Sequence, residues 1–172
     1  MRRRCAMTKE DYIAITSLTR RVTRRLPGGV KLFKLPTLLC AAIYLGTLGY
    51  LALNRDARFY RAAGVPALCF LLVTVLRPVI NRQRPYDRFG VPPVGAWKAG
   101  KRKSMPSRHA ASAGAIAMAV MWVFPKPWVC ILMGFLCLTI AASRILLGKH
   151  YPSDVIAALA LAGLLCFLGF TA

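Results

Sequence analysis

From Leu35 onward the chain alternates long apolar runs with short polar breaks. The runs cover residues 35–53, 62–80, 110–124, 128–147 and 155–172. A helix needs about 20 residues to cross the hydrocarbon of a bilayer, with a range near 17–25. The first and last runs qualify without any charge, and the second carries Arg77 near its end. The third is short unless the residues just before it start the helix. Irregular backbone cannot face lipid, so the runs read as helices packed into a bundle. Gly46, Gly49, Ala111, Gly114, Ala117, Ala158 and Gly163 supply small residues for close helix approach. The pattern predicts an all-α, polytopic membrane bundle of about five transmembrane helices, with room for a sixth.

Ahead of the runs, residues 8–25 read as an amphipathic helix. Thr8 and Asp11 have the spacing of a capping box. Ile15, Leu18 and Val22 share one face, while Arg20, Arg21, Arg24 and Arg25 crowd the other side. Such a helix is expected to lie on an anionic membrane surface rather than cross it. Pro27-Gly28-Gly29 ends it. Two regions follow: a basic amphipathic segment, 1–30, and one membrane-embedded domain, 31–172. The longest connection, 81–105, is rich in Pro, Gly and basic residues.

Lys and Arg total 25 against 5 Asp and Glu, a net charge of +20. That surplus suits nucleic acid or an anionic membrane surface. The apolar runs leave no room for a soluble basic domain, and no nucleic-acid motif is present. Anionic membrane lipids are therefore the expected partner, and nucleic acid is not. Cys40, Cys69, Cys130, Cys137 and Cys166 lie within apolar runs, without metal-ligand spacing, whereas Cys5 precedes them. They read as small core hydrophobes, with Cys130 and Cys137 on one helix face. The first 30 residues lack the apolar stretch of a cleavable signal, so the first run is expected to serve as an uncleaved anchor.

Both histidines stand at the edges of these runs, beside arginines. The clusters are Arg77-x6-Arg84-Pro85, Pro106-Ser107-Arg108-His109 and Ser143-Arg144-x5-His150-x3-Asp154. If the helices cross in alternation, all three clusters share one membrane face. Guanidinium groups pair with phosphate oxygens through bidentate hydrogen bonds. Ser107 can donate a hydroxyl, and the start of the third run offers free backbone N–H groups to an anion. Two histidines can then divide phosphoryl transfer, one attacking phosphorus and one protonating the departing oxygen. A nucleophilic imidazole needs its other nitrogen held by a carboxylate, and Asp154 is the candidate. Each piece alone has an ordinary structural reading: Arg77 as a snorkelling span end, Ser107 as a helix cap, Arg144 as an anchor. Their joint occurrence on one face favours chemistry.

The clusters resemble the three-part signature of the type-2 phosphatidic acid phosphatase family, which shares its site with vanadium haloperoxidases. That signature runs Lys-x6-Arg-Pro, Pro-Ser-Gly-His and Ser-Arg-x5-His-x3-Asp, and the third part is complete here. The resemblance implies a lipid phosphatase with His150 as the nucleophile that forms a phosphohistidine, and Asp154 orienting it. It implies His109 as general acid and then base, with Arg77, Arg84, Ser107 and Arg144 binding phosphoryl oxygens. It also implies neither metal nor cofactor. Arg77 stands in place of Lys, and Arg108, in place of Gly, adds a cation to the phosphate-binding set. The expected substrate is a lipid phosphate: phosphatidate, phosphatidylglycerol phosphate or a polyprenyl diphosphate. Rival readings are a vanadate-dependent haloperoxidase, a lipid phosphotransferase and a non-catalytic protein that binds anionic lipids.

Leaving the motif arginines aside, the site face carries Arg82, Arg88, Lys98, Lys101, Arg102, Lys103 and Lys149. The opposite face carries Arg55, Arg58, Arg61 and Lys126. The positive-inside rule then places the site on the cytoplasmic face of a bacterial-type plasma membrane.

Overall fold

The computed structural model describes residues 7–97 and 102–171, so Cys5, Lys98 and Lys101 lie outside the described residues. Seven α-helices follow in order: α1 (Lys9–Arg25), α2 (Leu35–Leu53), α3 (Arg58–Ile80), α4 (Pro85–Phe89), α5 (Arg108–Val123), α6 (Pro127–Leu146) and α7 (Pro152–Thr171). A 3-10 turn, Gly29–Lys34, leads into α2. Among the described residues there is no strand. Short connections at 54–57, 124–126 and 147–151 force their flanking helices to run antiparallel. Prolines at the first position of α6 and α7 preset the backbone for a helix start.

The bundle is built around α5, which touches α2, α3, α6 and α7. Its small residues explain why. Ala110, Ala111, Ala113, Ala115, Ala117 and Ala119 are all buried, so four neighbours can approach its backbone. A Cβ on Gly114 would lie 3.2 Å from Leu159 Cδ2 and 3.3 Å from Ala162 Cβ, so α7 packs tightly against it. One apolar cluster joins α5 to α3 and α7 through Cys69, Val73, Ala158 and Cys166. A second joins it to α2 and α6 through Cys40, Val120, Met133 and Ile140.

Four segments have the length and hydropathy of membrane spans: Gly29–Leu53, Arg58–Phe89, Pro127–Leu146 and Pro152–Thr171. At 16 residues α5 is shorter, about 24 Å by the helical rise, and it begins at Arg108 rather than at the apolar run itself. Protein rather than lipid surrounds it, so its length need not match the hydrocarbon. The outer helices turn Leu45, Leu71, Ile131, Phe135, Ile156 and Phe167 outward, which a lipid solvent accommodates.

Some expected packing roles are reassigned. Gly46, Gly49 and Gly163 face open space and allow no close approach. Gly169 does so instead, because a Cβ there would come within 2.5 Å of Val65 Cγ2. Cys137 is buried but Cys130, in the first turn of α6, is exposed although the two share a helix face.

Helix α1 carries the expected capping box: Asp11 N donates to Thr8 Oγ1 at 3.2 Å and Thr8 N to Asp11 Oδ2 at 3.0 Å. Its buried stripe is polar, consisting of Tyr12, Thr16, Thr19 and Thr23. The three threonine hydroxyls each donate at 2.8 Å to a carbonyl one turn earlier, so no donor is orphaned by burial. Leu18, Val22 and Leu26 stay exposed beside that stripe.

Candidate active site

The spacing of the third cluster follows from how α6 ends and α7 begins. Gly148 takes a left-handed φ of 69° just past α6. Its N–H donates to Ile145 O at 2.8 Å, and Lys149 N–H donates to Arg144 O at 3.0 Å. This is a Schellman ending, and it turns the chain sharply back on itself. His150 N–H also reaches Arg144 O, at 3.2 Å. Arg144 and His150 therefore stand side by side although five residues separate them. Pro152 then opens α7, with Asp154 at its third position, where the carboxylate accepts from Tyr151 N–H at 3.1 Å. That position sets Asp154 Oδ2 3.5 Å from His150 Nδ1.

Asp154 is fully buried and anchors a network. Arg82 Nη1 donates to its Oδ1 at 2.7 Å, and the Ser104 hydroxyl donates to its Oδ2. Its own carbonyl accepts from Ser107 N–H at 3.1 Å. Arg82 also stacks over Tyr151, 4.3 Å from the ring centroid. The connection 81–107 is thereby tied to the start of α7, next to His150.

One cavity of about 460 Å³ collects most of the cluster residues. Its wall contains Arg77, Arg84, Arg108, His109, Arg144 and His150, together with Lys34 and Lys149. Each comes from a different kind of support. Arg77 lies in the last turn of α3, Arg84 caps α4, Arg108 and His109 open α5, and Arg144 lies in the last turn of α6. The wall holds two imidazoles and six Lys or Arg side chains and no carboxylate. Arg84 Nε and Arg144 Nε are enclosed without a hydrogen-bond partner. Ser107 is not part of the wall, and as N-cap of α5 its hydroxyl makes no capping bond and stays buried without a partner. Unsatisfied donors gathered in this way suit an oxyanion.

The sequence model of the PAP2 superfamily matches residues 59–172, which hold all three clusters. The chain belongs to the PAP2 superfamily. This PAP2 protein is 35% identical over 98 residues to a lipid A 1-phosphatase of Rhizobium etli, covering 54% of this chain and 40% of that one. It is 37% identical over 123 residues to a decaprenylphosphoryl-5-phosphoribose phosphatase of Mycobacterium tuberculosis, covering 69% and 64%. The chain thus spans less than two thirds of the length of these relatives. Its fold resembles the PAP2-type phosphatidylglycerolphosphate phosphatase of Bacillus subtilis, with a TM-score of 0.67 at 24% identity over 94% of this chain and 83% of that one. It also resembles LpxE of Aquifex aeolicus, with a TM-score of 0.69 at 20% identity over 97% and 96%.

Several residues of this PAP2 protein enter the site without having stood out in the sequence. Arg82 and Lys149 counted only as charges on one membrane face; Arg82 is the counter-ion of Asp154, and Lys149 lines the cavity. Ser104 carried no signal beyond lying near Pro106. Burial and the nearby Arg144 and Arg84 hold the Lys149 ammonium below its ordinary value. Burial likewise lowers His150, with Arg84 and Arg77 adding to the effect while Asp154 opposes it.

Tyr12 and Gly148 were also missed, since only tertiary contact joins them. The Tyr12 hydroxyl lies 3.2 Å from both Gly148 O and Val91 O, within reach of a donated bond to each. Burial raises this phenol to about 12. A Cβ on Gly148 would meet Thr16 Cγ2 and Tyr12 Oη at 2.7 Å. Gly148→Ala is therefore expected to cost about 1–3 kcal/mol, through the left-handed backbone and the displacement of α1. Thermal unfolding in detergent measures it, and a midpoint equal to wild type would contradict the close approach.

Proposed function

We propose that this PAP2 protein is an integral membrane lipid phosphatase acting on a phosphomonoester or diphosphate of a lipid. The observation that carries this reading is the cavity wall, where His150 and His109 stand among six cations without a carboxylate. His109 and Arg108 also line an adjoining apolar cleft of about 340 Å³, walled by Cys40, Ala41, Phe70, Ala113, Ile116 and Ile140. The head group then meets the cations while the tail lies along the cleft. His109 stands at the junction, where the ester oxygen of such a lipid falls.

In this reading His150 is the nucleophile. Its Nδ1 faces Asp154, which leaves Nε2 to attack phosphorus. As the N–P bond forms the ester P–O bond breaks, and His109 delivers a proton to the departing oxygen. His109 then removes a proton from water, whose oxygen attacks the phosphohistidine. The P–N bond breaks and inorganic phosphate leaves. Arg77, Arg84, Arg108 and Arg144 stabilise the charge on the transferring phosphoryl oxygens. These steps need no metal.

The distribution of charge supports one side of the membrane. Tyr12 fastens α1 to the site end of the bundle, so Arg20, Arg21, Arg24 and Arg25 count with that end. Arg55, Arg58, Arg61 and Lys126 lie at the other end. We assign the site to the cytoplasmic face of the plasma membrane, with the exposed Leu18 and Val22 of α1 resting among anionic lipids.

Purified protein is expected to release phosphate from phosphatidate, phosphatidylglycerol phosphate or a polyprenyl diphosphate in the presence of chelator. Release from none of them overturns the reading, and loss of release on chelation overturns the metal-free steps. An Arg21→Cys variant labelled by an impermeant thiol reagent from the outside of intact cells would overturn the cytoplasmic assignment.

A further inference from the structure

A second cavity of about 710 Å³ adjoins the first and shares Arg77, Arg84 and Arg108 with it. Arg102, Lys103 and Thr74 complete much of its wall, which contains no carboxylate. None of its five cations forms an ion pair with a described carboxylate. Five like charges around one basin repel one another, and an anion relieves that repulsion more fully than water.

The segment carrying Arg102 and Lys103 is held in place rather than draped. Arg77 Nε donates to Lys103 O at 2.9 Å, and Nη2 donates to the same carbonyl. On the next residue, Ser104 N–H donates to Arg82 O at 2.9 Å and the Ser104 hydroxyl to Asp154. Between these ties Lys103 adopts a left-handed φ of 81°, a conformation unfavourable for any residue with a side chain. Arg77 can act on both cavities because its planar fork has donors on several edges. The lysine expected at this position would offer a single ammonium.

We propose that this basin is a second anion subsite, which takes a second phosphate of the same lipid substrate. The proposal rests on the phosphatase reading above and narrows its substrate class. The guanidinium groups common to both cavities stand between them. The two phosphorus atoms of a diphosphate share one bridging oxygen, so both fit on one side of that layer. A phosphate across the layer requires a spacer such as glycerol or a sugar. The fitting substrate is therefore a lipid with a terminal phosphomonoester and a second phosphate set apart from it.

The test compares phosphatidylglycerol phosphate, which has a glycerol between two phosphates, with phosphatidate of the same acyl chains. In detergent micelles wild type is expected to favour the first by about tenfold or more in kcat/KM. An Arg102→Gln, Lys103→Gln double variant is expected to lose most of that preference, and the preference should also shrink as salt is raised. The single Arg102→Gln variant serves if the double one does not fold. A wild type without preference, or a ratio unchanged by substitution, overturns the subsite. Relief of inhibition by inorganic phosphate, equal with both lipids, assigns the basin to free phosphate and overturns it too. If wild type releases phosphate from neither lipid nor from a polyprenyl diphosphate, the phosphatase reading fails. Binding of the two lipids to His150→Ala protein, with and without the Arg102 and Lys103 changes, then decides the subsite separately.

Discussion

Replacing His150 by alanine is expected to lower phosphate release on the order of 10^4-fold or more, with the bundle still folded. The imidazole is 4% exposed, held beside Arg144 by the Schellman turn and backed by Asp154. In the proposed mechanism the attacking nitrogen is then missing, so the remaining cations act on a reaction that lacks its nucleophile. Truncation removes no hydrogen bond of the helical scaffold, which keeps the unfolding midpoint near wild type. Release within tenfold of wild type would remove His150 from the mechanism. The wild-type pH profile gives a second readout. Burial keeps the imidazole below its ordinary 6.5, so the neutral nucleophile persists under that pH. The acid limb of kcat/KM set by His150 should accordingly lie below 6.5. Stability has the same sign. The unfolded chain binds this proton first, so the histidine's contribution is full above 6.5 and falls as the pH drops toward the folded value.

Asp154→Asn is expected to reduce turnover by about 10^2–10^4-fold while keeping the side-chain shape. An asparagine oxygen in the place of Oδ2 still accepts from Tyr151 N–H and still faces His150 Nδ1, but it carries no charge to balance the one the imidazole acquires on attack. It also leaves Arg82 without its counter-ion, and loosens the Ser104 bond that ties the loop to α7. About 1–2 kcal/mol of stability should be lost, a modest figure because Arg82 is partly exposed and can turn to water. Asp154 raises the His150 pKa, so its loss should shift the acid limb further down. An acid limb that stays in place, or turnover within threefold of wild type, would show that the carboxylate serves the fold alone.

Much of the bundle was legible because lipid constrains sequence strongly. A spanning helix must be apolar for its whole length, so α2, α6 and α7 could be bounded within a few residues. The short α5 was harder. Its length fits no span, and only its burial by four neighbours explains how it lies among them. The third cluster was legible for a local reason, since a turn after α6 and a helix start at Pro152 fix where Arg144, His150 and Asp154 stand.

The parts that sequence hid are those made between distant segments. Arg82 and Arg84 are two residues apart in one basic stretch, yet one neutralises Asp154 and the other lines the cavity. Composition treats them alike because charge is additive along a chain, whereas pairing depends on direction. The amphipathic pattern of α1 was clear, but its packing face was not. Apolar residues were the natural choice, while Thr16, satisfied within its own helix, and Tyr12 are what dock against Gly148.

The sequence by itself determined a membrane-embedded helical bundle and its polar clusters at helix ends. Periodicity, length and spacing are local properties, and they survive without a third dimension. Only the tertiary structure decided that Arg82 is the counter-ion of Asp154, which glycines allow close approach, and that Arg102 and Lys103 face a basin beside the histidines. Those outcomes depend on approaches of a few ångströms between segments up to 136 positions apart, as with Tyr12 and Gly148, and no one-dimensional pattern records them.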